Sequence, residues 1–294
     1  MEQLATYRSQ NTRASQETFE KGYLILQKNG HKNMGDDGWD FLEQLTLAAI
    51  DVGRTDVADR CLQLLSDKFP ESARVECLTG IRIEAVDSLE TALKYYDDLL
   101  STDSAREGIW KRKISVLRRM GKVDKAANEL VEFLDTYYVD VEAWLELADI
   151  YATCNQYDQS LQALSQVLIL APQNPFYALQ FAETAYTSGD IPLAIKVFLV
   201  VVNMTHGDES ETLAESTPLG VTVRAWYGVK LCARRLRQDP RLSTSSSSQT
   251  TAPRNVELLD ELATERLRVA YSSSGKKGQL AQGRDEVFAW VAHS

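Results

Sequence analysis

Apolar residues recur along this chain at helical spacing, and the helices themselves recur every 34 residues. A small residue stands at Ala58, Ala92, Ala126, Ser160 and Ala194. Four residues later, one turn along the same helical face, a large apolar residue follows at Leu62, Tyr96, Leu130, Leu164 and Phe198. A third column, Gly53, Asp87, Gly121, Asn155 and Gly189, holds the residue types that best tolerate left-handed backbone. The three columns keep one register without a gap, so the repeating unit is a pair of helices joined by a turn. The small column predicts where the second helix crosses a neighbour too closely for a longer side chain. The third column predicts the end of the first helix. Asp56, Asp124 and Asp158, three residues further on, stand where a carboxylate can cap the second helix.

A helix–turn–helix unit of 34 residues is the period of the tetratricopeptide repeat. The run Trp144, Leu147, Ala148, Tyr151, Ser160, Leu164, Val167, Pro172 follows that pattern throughout, and Trp110 precedes Trp144 by one period. Small residues at the close-contact position of the first helix are Gly80, Ala148, Ala182 and Gly228, whereas the third repeat has Ile114 there. The closing proline appears at Pro70 and Pro172. The expected fold is all-α, a tetratricopeptide-repeat solenoid of about six helix-turn-helix repeats plus terminal helices. Residues 1–38 read as an N-terminal helix (about 10–30, with Phe19, Tyr23, Leu24 and Leu26 around an apolar stripe) and a loop. Residues 39–208 hold five repeats, at about 39–72, 73–106, 107–140, 141–174 and 175–208. The register then breaks in the polar stretch His206–Gly220. Residues 209–271 form a sixth, interrupted repeat, its helices at Val221–Arg237 and Asn255–Tyr271. The Ser-rich insertion at about 238–254 lacks the apolar area to offset its ordering entropy and is expected to be disordered. Residues 272–294 read as a loop and a short capping helix around Val287–Val291.

Charge and composition narrow the function. A net charge of −10 over 294 residues argues against nucleic acid as a main partner, because phosphate binding needs a basic footprint. Cys61, Cys77, Cys154 and Cys232 are scattered through amphipathic helices without a C-x-x-C pair, which predicts free thiols in a reducing compartment. The opening residues are polar, so no signal peptide is expected, and no apolar run approaches the roughly 20 residues that span a bilayer. No catalytic constellation, cofactor motif or metal set emerges. His31, His206 and His293 fall in predicted loops or at the end of the chain, with no recurring partners. Phosphate-binding glycine loops and nucleophile elbows are absent.

Two basic clusters are candidates for binding a polypeptide partner. Lys111, Arg112, Arg118 and Arg119, with Lys113 beside them, belong to the first helix of the third repeat, at positions that line the inner groove in tetratricopeptide arrays. So many like charges in one short helix call for an acidic counterpart, either neighbouring carboxylates or a partner's tail. A second cluster, Arg224, Lys230, Arg234 and Arg235 with Arg237, follows the polar insertion and reads as intramolecular charge or as a surface for lipid headgroups or an acidic partner. The carboxylate clamp of chaperone-binding tetratricopeptide proteins needs Asn where this chain has Ile81, Ser115, Asp149 and Glu183, which argues against a chaperone-tail adaptor.

Certain stretches are more specific than the repeat itself: Tyr96-Asp97 with Leu100, Lys111-Arg112-Lys113-Ile114, Gly121-Lys122, Glu142-Ala143-Trp144, Glu146-Leu147-Ala148 and Tyr151. Asn174, Tyr177, Gln180, Ala182-Glu183, Tyr186-Thr187, Gly189, Arg224-Ala225 and Gly228 continue them. In this order they resemble one family, that of subunit 2 of the endoplasmic reticulum membrane protein complex, most clearly over about 90–235. The resemblance implies a non-catalytic scaffold, peripheral on the cytosolic face of the endoplasmic reticulum membrane. It implies a part in inserting transmembrane segments, including those of tail-anchored proteins. It also implies partners among the other subunits, especially cytosolic segments of subunits 5 and 3 held in the groove. The Ser-rich insertion lies outside the resemblance. The alternative reading is a soluble tetratricopeptide adaptor of another chaperone or trafficking assembly.

Overall fold

The computed structural model describes residues 2–10, 12–103, 105–205, 217–272 and 282–292. Among the described residues there are fifteen α-helices and no strand. Two N-terminal helices, α1 (Glu2–Ser9) and α2 (Ser15–Gln27), and a 3-10 turn at Gly30–Asn33 precede the pairs. The pairs are α3 (Asp37–Asp51) with α4 (Thr55–Lys68), α5 (Ala73–Val86) with α6 (Leu89–Thr102), and α7 (Glu107–Arg119) with α8 (Val123–Thr136). They continue with α9 (Val141–Thr153) and α10 (Tyr157–Leu170), α11 (Pro175–Ser188) and α12 (Ile191–Met204), and α13 (Val221–Gln238) and α14 (Val256–Ser272). The helix α15 (Arg284–Ala292) follows. The chain forms two compact units, residues 1–129 and 130–294, each with its own core. Most of the predicted loop 206–220 and of the loop 272–283, with His206 and His293, lies outside the described residues.

The three columns have distinct fates. Ala58, Ala92, Ala126, Ser160 and Ala194 are all buried. Ser160 satisfies its hydroxyl on the carbonyl of Ala148 at 2.9 Å, so a serine is as well placed there as an alanine. Gly53, Gly121, Asn155 and Gly189 adopt positive φ, at 78°, 72°, 59° and 93°. Asp87 does not. Its φ of −100° and ψ of −173° are extended, and Ser88 accepts a hydrogen bond from the Thr91 amide to start α6. This turn is one residue shorter than that between α3 and α4, and a serine cap replaces the left-handed residue. The predicted caps Asp56, Asp124 and Asp158 are instead second residues of α4, α8 and α10. There a carboxylate favours the helix dipole without capping. Side chains that do cap α-helices include Ser88, Asp140, Asn174 and Asp190.

The core is built on close approach. A Cβ added to Gly80 in α5 would lie 2.3 Å from the Tyr96 ring of α6. A Cβ added to Gly228 in α13 would lie 2.3 Å from the Phe198 ring of α12. In both places the large column fills the space left by a missing side chain. Around Phe198, the second unit buries Ala182, Ala194, Ala225, Trp226, Ala263 and Leu267 in one cluster. The first unit buries Phe41, Leu42, Leu45, Ala58 and Leu62 with Leu4, Phe19 and Leu26 of the N-terminal helices.

Four further expectations are corrected. The opening residues form α1, because Leu4 is buried and its carbonyl accepts the Gln44 amide at 3.2 Å. Leu24 is exposed rather than part of the buried stripe of α2. Cys154 lies just past the end of α9 and is exposed, unlike the buried Cys61 and Cys232. Finally, the segment 238–254 is packed where disorder was expected. It contains a 3-10 turn at Pro240–Ser243, and its serines bond to Asp190, an acceptor far away in sequence.

Gly228→Ala tests the close approach. Helix propensity alone would stabilise by about 1 kcal/mol. Overpacking against Phe198 should reverse the sign and cost about 1–3 kcal/mol, read as a lower thermal midpoint by circular dichroism. An unchanged or raised midpoint removes the explanation.

Candidate partner-binding site

The first basic cluster is organised by a carboxylate that sequence reading passed over. The helix α7 buries Ile109, Trp110, Ile114 and Leu117, which leaves its cations to rise from the rest of the surface. Arg112 donates through Nε and Nη2 to Glu84 Oε1, at 2.9 and 2.6 Å. Arg119 donates to Glu84 Oε2 at 2.7 Å. The Tyr96 hydroxyl donates to Oε1 at 2.7 Å. Glu84 thus joins α5, α6 and α7, with its own side chain only 3% exposed. Four donors compensate the loss of hydration that would otherwise make a buried carboxylate costly. Burial first, and the hydrogen bond to Glu84 second, raise the Tyr96 pKa far above its ordinary 10.0. Burial disfavours the Arg112 charge, but Glu84 outweighs it and the Arg112 pKa is raised.

The remaining cations of α7 are engaged differently. Lys113 bridges Asp97 at 3.0 Å and Glu129 at 2.7 Å, and Glu129 also accepts the Trp110 indole N–H at 2.9 Å. Lys111 meets Glu107 one turn earlier, at 3.0 Å. Arg118 is half-buried and is also engaged. Of the two readings left open by sequence, neighbouring carboxylates therefore account for much of the cluster. At Glu84 one negative charge serves two guanidiniums, whereas Lys113 meets two carboxylates.

Beside this cluster lies a cavity of about 560 Å³ in the first unit. Its walls come from the α1–α2 connection and from the first helices α3, α5 and α7, through residues such as Tyr7, Arg13, Glu43, Leu47, Ile81 and Arg112. Arg13 holds Asp51 in a bidentate pair at 3.0 and 2.7 Å, and the Ser15 hydroxyl joins them at 2.5 Å. The Arg13 guanidinium keeps the Asp51 carboxyl below the usual carboxylate range. Arg74 pairs with Glu43 at 2.7 Å. The cavity was invisible in sequence, since the residues that enclose it come from segments as far apart as Tyr7 and Arg112.

The second cluster is not one surface. Lys230 is fully buried, 2.8 Å from Asp260 and donating to Thr264 at 2.7 Å. Arg237, two turns along the same face of α13, reaches the other oxygen of Asp260 at 3.0 Å. Arg234 stacks on the Trp290 ring at 4.3 Å and donates to the Trp290 carbonyl at 2.6 Å, which fastens α15. Arg224, Arg235 and Arg237 are exposed, the first paired with Glu183 at 2.6 Å and the second over the Tyr186 ring at 5.7 Å. The reason is helical rotation. A spacing of six residues leaves the side chains about 120° apart around the helix, so Arg224 and Lys230 lie on different faces.

Among the described residues, no group of three or more His, Cys, Asp or Glu could hold a metal ion. His31 is buried in the 3-10 turn after α2. Burial pushes the thiol pKa of Cys61 up to about 11 and that of Cys232 up to about 12, which leaves both protonated and unreactive near neutrality. Among the described residues, no helix is long and apolar enough to cross a membrane.

Paired helices in a 34-residue register, with charged first helices around a cavity, define a tetratricopeptide-repeat protein. Solved structures support the fold: the C-terminal part of a repeat-containing protein from Cytophaga hutchinsonii matches 88% of this chain and 97% of its own, with a TM-score of 0.55 at 12% identity. Residues 57–194 match the family described as the EMC2 TPR-like repeat domain. The chain is 32% identical over 278 residues to ER membrane protein complex subunit 2 of Xenopus tropicalis, covering 94% of this chain and 86% of that protein. It is 30% identical over 261 residues to the TPR repeat protein oca3 of Schizosaccharomyces pombe, covering 87% and 88%. The chain belongs to the ER membrane protein complex subunit 2 family.

The Glu84 network makes two measurable predictions. Glu84→Gln should destabilise by about 2–3 kcal/mol, less than a fully buried pair because Arg112 and Arg119 are partly solvated. Wild-type unfolding free energy in this variant would refute the compensation argument. Tyr96 keeps its proton in the folded state and loses it near pH 10 when unfolded. Its contribution is therefore complete below pH 10 and declines as pH rises further. Tyr96→Phe should show a shallower loss of stability between pH 10 and 11 than the wild-type chain. Equal slopes would contradict the assignment.

Proposed function

We propose that this chain is a non-catalytic scaffold subunit of the endoplasmic reticulum membrane protein complex, held peripherally on the cytosolic face of the membrane. It supports insertion of transmembrane segments, including those of tail-anchored proteins. It does so by binding cytosolic parts of membrane subunits, with subunits 5 and 3 foremost. Family membership supports the complex. The binding role rests on one observation: Arg112 and Arg119, which share the single carboxylate of Glu84, remain 32% and 51% exposed on α7, and Arg112 lines an open cavity. An acidic, partly apolar segment of a partner suits that surface. Its charges would steer association while the cavity accepts side chains. Helix pairs that are already packed lose little entropy on binding, so the site is prepared before the partner arrives. In the second cluster, Arg224 and Arg235 remain available to a partner, and Lys230 and Arg234 serve the fold.

Recovery of the tagged chain from membranes in mild detergent should bring the other complex subunits in stoichiometric amounts. Recovery of soluble proteins alone would favour the adaptor reading. Lys111→Glu with Arg118→Glu, which leaves the Glu84 triad intact, should lower subunit recovery about tenfold at low salt and less at high salt, where surface charges are screened. Undiminished recovery by a folded double variant would remove the cationic surface from the proposal.

A further inference from the structure

The serines of the connection between α13 and α14 are tied to one buried carboxylate. Asp190 is 5% exposed and begins α12, its Oδ1 accepting the Leu193 amide at 3.1 Å. Its Oδ2 accepts the hydroxyls of Ser246 at 2.7 Å, Ser247 at 3.2 Å and Ser248 at 3.4 Å. Among the described residues, no cation pairs with Asp190, so these hydroxyls are its main compensation. The segment is cinched by the Ala252 amide on the Ser243 carbonyl at 3.1 Å, and Leu242 and Ala252 pack against the core of the second unit. Ser247 and Ser248 are nevertheless exposed. The donors that meet this carboxylate are neutral hydroxyls, and each carries the one atom that a phosphoryl group can replace.

We propose that Ser247 and Ser248 are phosphorylation sites and that the modification releases this strap from Asp190. A protein kinase supplies the phosphoryl group from a nucleoside triphosphate. The serine Oγ bonds to the γ-phosphorus, the bond from that phosphorus to the bridging oxygen breaks to leave the diphosphate, and the hydroxyl proton passes through the kinase's base to solvent. The donor becomes a group carrying nearly two negative charges against a carboxylate shielded from water. Like charges at this separation repel strongly when solvent is excluded, and the strap has an open route to water. Its departure uncovers Leu242 and Ala252 and bares the start of α12. The charge of Asp190 is the cause, so the effect should vanish when that charge is removed.

The test places phosphoserine at position 247 of the full chain by genetic encoding and follows amide hydrogen exchange over 240–252. Exchange should quicken about tenfold or more there, while the core of α13 stays protected. In the Asp190→Asn background, the change on phosphorylation should shrink to less than about threefold. Ser247→Ala, which loses one hydroxyl without adding charge, should give a much smaller effect than phosphoserine. Unchanged exchange, an effect matched by Ser247→Ala, or an effect undiminished in Asp190→Asn would each overturn the release mechanism. Mass spectrometry of the chain isolated under phosphatase inhibition from the cells that make it should find phosphate on Ser247 or Ser248. Its absence would overturn the site.

Discussion

Two aromatic or phenolic rings seated where glycine has no side chain set the spacing on which both units depend. Tyr96 lies against Gly80 and Phe198 against Gly228, each too close for a Cβ. Large and small residues at facing positions let helices approach until their surfaces interlock, and this replaces the long-range packing that a globular core would provide. In the first unit the same ring does more. Because Tyr96 is drawn in against α5, its hydroxyl arrives at Glu84, and Glu84 in turn collects Arg112 and Arg119. The absence of one methyl group at position 80 is thus coupled to the geometry of the cationic helix α7. Packing comes first, and the charge pattern is fixed upon it.

Two buried carboxylates are used in contrasting ways. Glu84 and Asp260 each meet two cations, but at Asp260 Lys230 is wholly enclosed and only Arg237 reaches solvent, at 45%, whereas at Glu84 both Arg112 and Arg119 do, at 32% and 51%. Enclosed charge serves to hold α13 to α14, since its field cannot be felt far into solvent. Half-exposed charge can still act on an approaching chain. Exposure, more than the number of cations, separates a binding surface from an internal bolt. The same criterion divides Arg224 from Lys230, which sequence places in one cluster.

Repeat architecture was legible because it is periodic. The buried column from Ala58 to Ala194 and the left-handed turns at Gly53, Gly121, Asn155 and Gly189 could be read from spacing alone. Failures fell at helix boundaries. Asp87 sits in a shortened turn capped by Ser88, and Asp56, Asp124 and Asp158 are the second residues of their helices rather than the residues before them. A shift of one or two residues is invisible to a periodic argument, but it decides whether a side chain caps a helix. The candidate site was legible only in half. The row of cations on α7 stood out, while Glu84, the residue that orders it, is 28 positions from Arg112 and carries no local mark.

The Ser-rich connection shows where composition ceases to inform. Composition measures what a segment can bury of its own, and 238–254 can bury little. It says nothing of an acceptor elsewhere that has itself been buried and needs donors. Asp190 supplies that need from more than fifty residues away, and short polar side chains answer it better than apolar ones. Order in this segment is therefore drawn from α12 through hydrogen bonds to one atom, beside the packing of Leu242 and Ala252 on the core. The hydrogen-bonded part of that attachment is weak against a change of charge. A helix pair held by Phe198 or Trp226 has no comparable point of release, because its cohesion is spread over many contacts.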